Sequence, residues 1–266
     1  MSYRQAHLRR ARHWIVNRGW RGFFEEMLRR AELKLKGKPL PGRPGPDTGP
    51  HPFDRAYAVD TTGLVWGEAL DGGGMQHDAQ YWATGYYGVA PSAFDAALDA
   101  LKLDWHQYTF IDIGCGKGRA LLLSMRYPFR DVLGIELSPA LAKVAERNVT
   151  SFNAPWRQFK KRAEVITGDA TTFALPSGPL VLFLYHPFAA PVMHRFLEHL
   201  ARSVHENPRP LYLLYANPEL APILDQTQNL ERVFDRHLAF NEEDIAADRF
   251  GSRSEHIIAY RSTLSS

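Results

Sequence analysis

Between residues 108 and 215, five apolar runs alternate with amphipathic stretches, and this alternation constrains the fold more than any other feature of the chain. The runs are Tyr108–Ile113, Val132–Leu137, Glu164–Thr167, Leu180–Tyr185 and Leu211–Tyr215. Between them lie Lys117–Tyr127, Pro139–Phe152, a short piece after Asp169, Ala190–His205 and Glu219–Gln228, each long enough for at least a turn of helix. Parallel strands need crossovers and must be covered on both faces, so the pattern predicts an α/β protein with a doubly wound, mostly parallel sheet. The tail breaks the rhythm. Leu230–Phe240 and Ser254–Tyr260 read as two extended runs with no crossover helix between them, which predicts an antiparallel pair at one sheet edge.

The part before residue 53 has a different composition. Residues 1–46 hold 12 of the 32 Lys and Arg but only 3 of the 29 Asp and Glu, so a basic appendage stands beside an acidic body. Helical spacing of Phe23, Phe24, Met27, Leu28 and Ala31, with acid-first pairs Glu25/Arg29 and Glu26/Arg30, predicts a helix that Gly37 and Pro39 stop. The stretch KPLPGRPGPDTGPHP is too rich in proline and glycine to build a core. The expected organisation is therefore a basic helical extension over 1–37, a linker over 38–52 and an α/β domain over 53–266. Anionic surfaces or membranes fit the arm's arginines and tryptophans as partners, packing over the body is the plain alternative, and nucleic acid ranks last because no reading motif occurs. With one cysteine, Cys115, no internal disulfide forms, and no apolar run approaches the roughly 18 residues of a membrane span. A cytoplasmic protein, peripheral to a membrane if the arm binds one, is expected.

The chemistry concentrates at strand ends. In Phe110-Ile111-Asp112-Ile113-Gly114-Cys115-Gly116-Lys117-Gly118-Arg119 a buried strand runs into a glycine loop and then a helix, where backbone N–H groups and the helix dipole can meet a ligand. The spacing is not that of dinucleotide binders, whose third small residue is replaced here by Arg119, nor that of a Walker loop, since Arg119-Ala120 follows Gly118. Glu136 lies 22 residues after Gly114 at the next strand end, where a carboxylate can accept bonds from both ribose hydroxyls. Asp169, in Thr167-Gly168-Asp169-Ala170, ends the third strand and can meet an adenine edge by its carboxylate or a neighbouring amide. Either acid alone reads as a loop cap. Three acids at successive strand ends beside this loop point instead to an adenosine-bearing ligand.

On FIDIGCGKGR, GIELSP, ITGDA and LFLYHPF, in that order, the chain resembles the class I S-adenosylmethionine-dependent methyltransferases over about Phe53–Tyr260. It looks closest to a bacterial subgroup that begins with a basic helix and an FDxxxxVDT segment, here Phe53-Asp54 through Asp60-Thr61-Thr62. The resemblance implies a seven-stranded sheet of order 3-2-1-4-5-7-6 with the last strand antiparallel, and S-adenosylmethionine as cofactor with S-adenosylhomocysteine as product. It also implies that Gly114, Gly116 and Gly118 approach the methionine and ribose, while Cys115 serves the loop by its backbone. Asp112 would orient the loop or meet the amino group, Glu136 with the adjacent Leu137 would hold the ribose, and Asp169 with Ala170 the adenine. Tyr86 and Tyr87, ahead of Pro91-Ser92, resemble the loop that closes over the methionine end.

Methyl transfer needs a positioned nucleophile and a place for one proton. The candidate catalytic position is Tyr185-His186-Pro187-Phe188, which corresponds to the family's motif of Asn, Asp or Ser, two prolines and an aromatic in enzymes that methylate nitrogen. His186 at the polar position and the single proline depart from that motif, although a neutral imidazole can still accept one N–H bond or take a proton. Phe188 can pack against the substrate or the sulfonium. A nitrogen of a protein side chain or small amine is the expected acceptor; a metabolite hydroxyl, or a non-catalytic adenosyl-binding module, are the alternatives. Metal binding is not expected, because His194, His199 and His205 stand five and six residues apart rather than four.

Overall fold

The computed structural model describes residues 15, 20–21, 24–25, 27–28, 31–32, 47, 49–65, 86–152 and 163–263. Most of the basic arm, most of the Pro/Gly stretch, Tyr81–Gly85 of the lid segment and the basic run 157–162 lie outside the described residues. The described positions between 15 and 32 are helical, and Trp20, Phe24, Met27 and Leu28 are exposed there.

The described body runs α1 (Pro52–Tyr57), α2 (Pro91–Leu101), β1 (Thr109–Ile113), α3 (Arg119–Ser124), β2 (Asp131–Glu136), α4 (Pro139–Ser151), β3 (Glu164–Thr167), β4 (Leu180–Tyr185), α5 (Ala190–Glu206), β5 (Leu211–Ala216), α6 (Ala221–Asp225), β6 (Leu230–Ala239), α7 (Glu242–Ala247) and β7 (Ser254–Ser262). Seven strands form one sheet of order β3-β2-β1-β4-β5-β7-β6. All neighbours pair in parallel except β7, which runs antiparallel to both β5 and β6. This is the expected architecture, with each strand within about a residue or two of its expected bounds.

Alternation along the strands builds two cores. Phe110, Phe183, Leu214 and Ala259 face α2 and α3, where Phe94, Leu98, Leu121 and Leu122 meet them. Ile111, Ile113, Leu182, Leu184, Leu213 and Tyr215 face the other way, onto Val192, Met193, Phe196 and Leu200 of α5. Each such side chain contributes roughly 1.5–3 kcal/mol by leaving water. A sheet buried on both sides is why β1 and β4 read as continuous apolar runs rather than alternating ones.

Two helices are shorter than their sequence periodicity predicts. The expected Lys117–Tyr127 begins only at Arg119, because Gly118 is its N-cap at φ +87° and Lys117 belongs to the loop. The expected Glu219–Gln228 shrinks to Ala221–Asp225, because Asn217 at φ +48° and the following Pro218 turn the chain first. The 3-2-1-4 strand order reverses direction between β1 and β4, so the carboxyl ends of these two strands open a crevice, as they do in parallel sheets generally.

Candidate active site

At that crevice lies a cleft of about 870 Å³, open to solvent. Asp112, Gly114, Cys115 and Gly116 from the β1 loop line it, with Glu136 and Leu137 from β2, Asp169 and Ala170 after β3, Tyr185 and Phe188 from the end of β4, and Tyr86 and Tyr87 from the lid segment. Twelve sequence-chosen residues thus converge on one cavity from five separate stretches of chain.

The loop is held by β2. Gly114 N–H and Cys115 N–H both donate to Ile135 O, at 2.8 and 3.0 Å, and Gly116 N–H donates to Glu136 Oε2 at 2.8 Å. Glu136 Oε1 accepts Ser138 N–H, also at 2.8 Å. The carboxylate that was expected to hold ribose therefore fixes the loop as well, and each of its oxygens keeps a second lone pair for a ligand hydroxyl. Cys115 Sγ lies over the Gly134 backbone of β2, and its N–H is spent on Ile135, so it shapes the cleft wall rather than offering that donor. Gly118 does not line the cleft; it packs on Ala145 of α4 and lets the helix come close.

Asp169 serves two roles that the sequence reading kept apart. Its Oδ1 accepts both the N–H and the hydroxyl of Thr171, each at 2.8 Å, which caps the turn while the residue lines the cleft. Tyr86 is fastened by its hydroxyl, which donates to Thr61 O at 2.6 Å, and by a two-bond bridge to Val65. Tyr87 donates to Asp248 Oδ1 at 3.0 Å and accepts Arg249 N–H at 3.2 Å.

His186 is placed differently from its expectation. It sits in the left-handed region at φ +43°, which turns its buried ring away from the cleft and toward β5. There Nδ1 lies 2.7 Å from the Tyr215 hydroxyl and Nε2 lies 4.0 Å from Glu219 Oε2. Its neighbours Tyr185, Pro187 and Phe188 face the cleft in its stead. The sequence reading also missed Glu255 of β7, which accepts the Tyr185 hydroxyl bond at 2.9 Å. No local motif marks Glu255; only the pairing of β7 with β5 brings it beside β4.

Two buried acids stand on the wall formed by β1 and β2, while Arg119 lines the cleft as well. Burial, and then the Glu136 carboxylate, push Asp112 up to about 8, while burial raises Glu136 against three backbone hydrogen bonds that lower it. Two neighbouring carboxylates held in low dielectric are relieved by positive charge, and a sulfonium or ammonium supplies it. The glycine loop, ribose-length acid and aromatic lid likewise fit S-adenosylmethionine. Among the described residues no group of three or more His, Cys, Asp or Glu is placed to hold a metal, and no helix is long and apolar enough to cross a membrane.

A raised folded-state pKa means stability that is full below the unfolded-state pKa and is lost as pH rises through the folded one. Without ligand, stability should therefore fall between about pH 4 and 8 on account of Asp112. Asp112→Asn should flatten that slope, measured as urea unfolding midpoints at pH 5 and pH 8; an unchanged slope would place the effect elsewhere.

The model of a family described as "Methyltransferase domain" matches residues 110–207. Residues 110–207 are thus similar to a methyltransferase domain, and they hold four of the seven strands. They run from β1 to the end of α5 and carry Asp112, the loop, Glu136, Asp169 and Tyr185. No curated protein matches the chain. Among solved structures, the domain is similar to a SAM-dependent methyltransferase from Aquifex aeolicus at 18% identity and TM-score 0.46, covering 63% of this chain and 88% of that one. It is also similar to an RNA methyltransferase from Salinibacter ruber in complex with S-adenosyl-L-homocysteine (17%, TM-score 0.39, 65% and 90%) and to the glycopeptide N-methyltransferase MtfA (9%, TM-score 0.48, 66% and 96%).

Proposed function

We propose that this methyltransferase domain transfers its methyl group to a nitrogen of a protein side chain or small amine. The observation that carries the reading is the Tyr185–Glu255 pair beside the cleft. When bound, S-adenosylmethionine supplies an electrophilic methyl on sulfur. The protein must then align a lone pair with it and take the proton that the acceptor sheds.

Tyr185 is suited to that second task. Its hydroxyl donates to Glu255, so the phenol oxygen keeps a lone pair that can accept an N–H, and a proton received there is matched by one passed to the carboxylate. Burial pushes Glu255 up to about 7, opposed by the Tyr185 bond and aided by the nearby Asp248 charge. A base with that value is ionised over half the time just above neutrality, where a proton acceptor works best. Aromatic walls at Tyr87, Tyr185 and Phe188, with Asp248 behind Tyr87, also favour a cationic amine over a neutral hydroxyl.

The test is to offer labelled S-adenosylmethionine to the full-length protein with amine and peptide acceptors on one side and phenols and alcohols on the other. Label on nitrogen is expected, and label only on oxygen would replace this reading with the hydroxyl one. On the accepted substrate, the rate should rise with pH through about 7 as Glu255 ionises. Glu255→Gln should remove that limb and slow turnover about tenfold, leaving S-adenosylhomocysteine affinity unchanged.

A further inference from the structure

Arg119 stands where dinucleotide binders carry a small residue, and the structure shows where its side chain goes. It is 5% exposed and reaches back to the segment before the lid, donating from Nε to Thr61 Oγ1 at 2.7 Å and from Nη2 to Thr62 Oγ1 at 3.2 Å. Nη2 also lies 3.7 Å from Asp54 Oδ1. Asp54, itself buried, accepts the N–H groups of Thr61 and Thr62 at 2.8 and 2.7 Å and the Thr61 hydroxyl. The FDxxxxVDT segment is thus a closed polar turn around one carboxylate, with Arg119 as its cation.

Lys117 of the same loop and Asn148 of α4 grip the segment as well. Lys117 Nζ donates to Asp60 Oδ1 at 2.8 Å and to Thr62 O at 2.7 Å. Asn148 of α4 accepts Asp60 N–H and donates both to Asp60 O and to Lys117 O, all within 2.7–2.8 Å. Thr61, held in this way, is the residue whose carbonyl accepts the Tyr86 hydroxyl, and the Tyr86 ring lies directly over Gly116. Gly88, two residues on, has room for no side chain because the Arg119 guanidinium occupies that space.

We infer that Asp54, Thr61 and Arg119 form a latch that positions the glycine loop and the Tyr86 lid for S-adenosylmethionine, so that cofactor affinity depends on a segment outside the matched domain. The inference rests on the reading of the cleft as the cofactor site. Its physical basis is preorganisation. A loop with three left-handed glycines is entropically costly to hold in one shape, and three anchors from a preceding segment meet that cost before the ligand arrives. Burying Arg119 beside Asp54 gains little net stability by itself, since desolvation offsets the attraction, which is consistent with a network kept for geometry. Asp54 and Thr61 do not line the cleft and are positioning residues that act through the loop and through Tyr86, whereas Arg119 also lines it.

Thr61 offers the cleanest test, because valine has nearly its shape without its hydroxyl and serine restores the hydroxyl. Full-length wild type, Thr61→Val, Thr61→Ser and Gly116→Val proteins would be titrated with S-adenosylhomocysteine in a calorimeter. Thr61→Val should bind about tenfold more weakly and Thr61→Ser should recover most of the affinity. Amide hydrogen exchange on the wild type gives a second readout that needs no variant: S-adenosylhomocysteine should slow exchange over 54–65 and at 86–90 as well as in the loop. Wild-type binding with no slowing at 54–65, or with Thr61→Val affinity unchanged, overturns the latch alone. A wild-type protein that binds no S-adenosylhomocysteine overturns the site reading first, and the latch with it.

Discussion

A Gly116→Val protein is expected to fold and to bind no measurable S-adenosylmethionine. Position 116 has φ +56°, where a β-branched residue is strained by 1 kcal/mol or more, roughly. Space is the larger obstacle. A Cβ built there would stand 2.1 and 2.5 Å from two ring carbons of Tyr86, so the lid would have to leave its seat and its bond to Thr61. Any backbone shift that relieves the clash would also strain the bond from the residue 116 N–H to Glu136. Together these should weaken binding by about 4 kcal/mol, a thousandfold, which removes it from the calorimeter's range. The sheet does not depend on this residue, and far-ultraviolet circular dichroism should be unchanged. Retained affinity would take the loop out of the site.

Glu136→Ala is the second large effect. The carboxylate accepts two backbone N–H bonds, from Gly116 and Ser138, while offering its remaining lone pairs to the ribose. Alanine removes the ligand contacts and leaves the two donors in a buried place without their acceptor, at a cost of roughly 1–3 kcal/mol for such groups. Affinity for S-adenosylhomocysteine should fall by about 2 kcal/mol or more, thirtyfold. A comparison with Glu136→Gln separates the parts: the amide keeps one acceptor oxygen, so its loss should be smaller. Equal dissociation constants for wild type and alanine variant would mean that the ribose lies elsewhere. The alanine variant should also lower the Asp112 pKa, since the Glu136 charge is the second cause of its rise.

The two effects differ in kind. Gly116 matters because of what cannot be there, and Glu136 because of what its oxygens hold at once. Both act on the cofactor half of the cleft, whereas Tyr185 and Glu255 act on the acceptor half, so binding and turnover should separate cleanly in the variants.

Much of this was legible in the chain itself. The strand-helix rhythm from Tyr108 to Tyr215 dictates a parallel sheet because hydrophobic periodicity is a local property, read off neighbouring residues without knowing what packs on them. The glycine loop and the acids Asp112, Glu136 and Asp169 were equally readable, since in a parallel sheet every strand's carboxyl end lies on the same side, and residues at those ends must meet. The sheet order followed from the resemblance and agrees with the pairing observed.

Side-chain direction was not legible. His186 looked like the acceptor-side polar group, yet it sits at φ +43° with its ring against Tyr215, a direction that no local motif marks. Glu255 carried no signal because it lies 70 residues from Tyr185, and only the antiparallel insertion of β7 beside β5 joins them. Arg119 and the FDxxxxVDT segment were both visible as oddities, 58 residues apart from Thr61 to Arg119, but their hydrogen bond exists only once the chain before β1 folds back over the loop. The sequence by itself determined the periodicities and the strand-end chemistry, which depend on near neighbours. The tertiary structure alone decided which polar groups became partners, because hydrogen bonds act over about 3 Å and the chain distance between partners does not bound them.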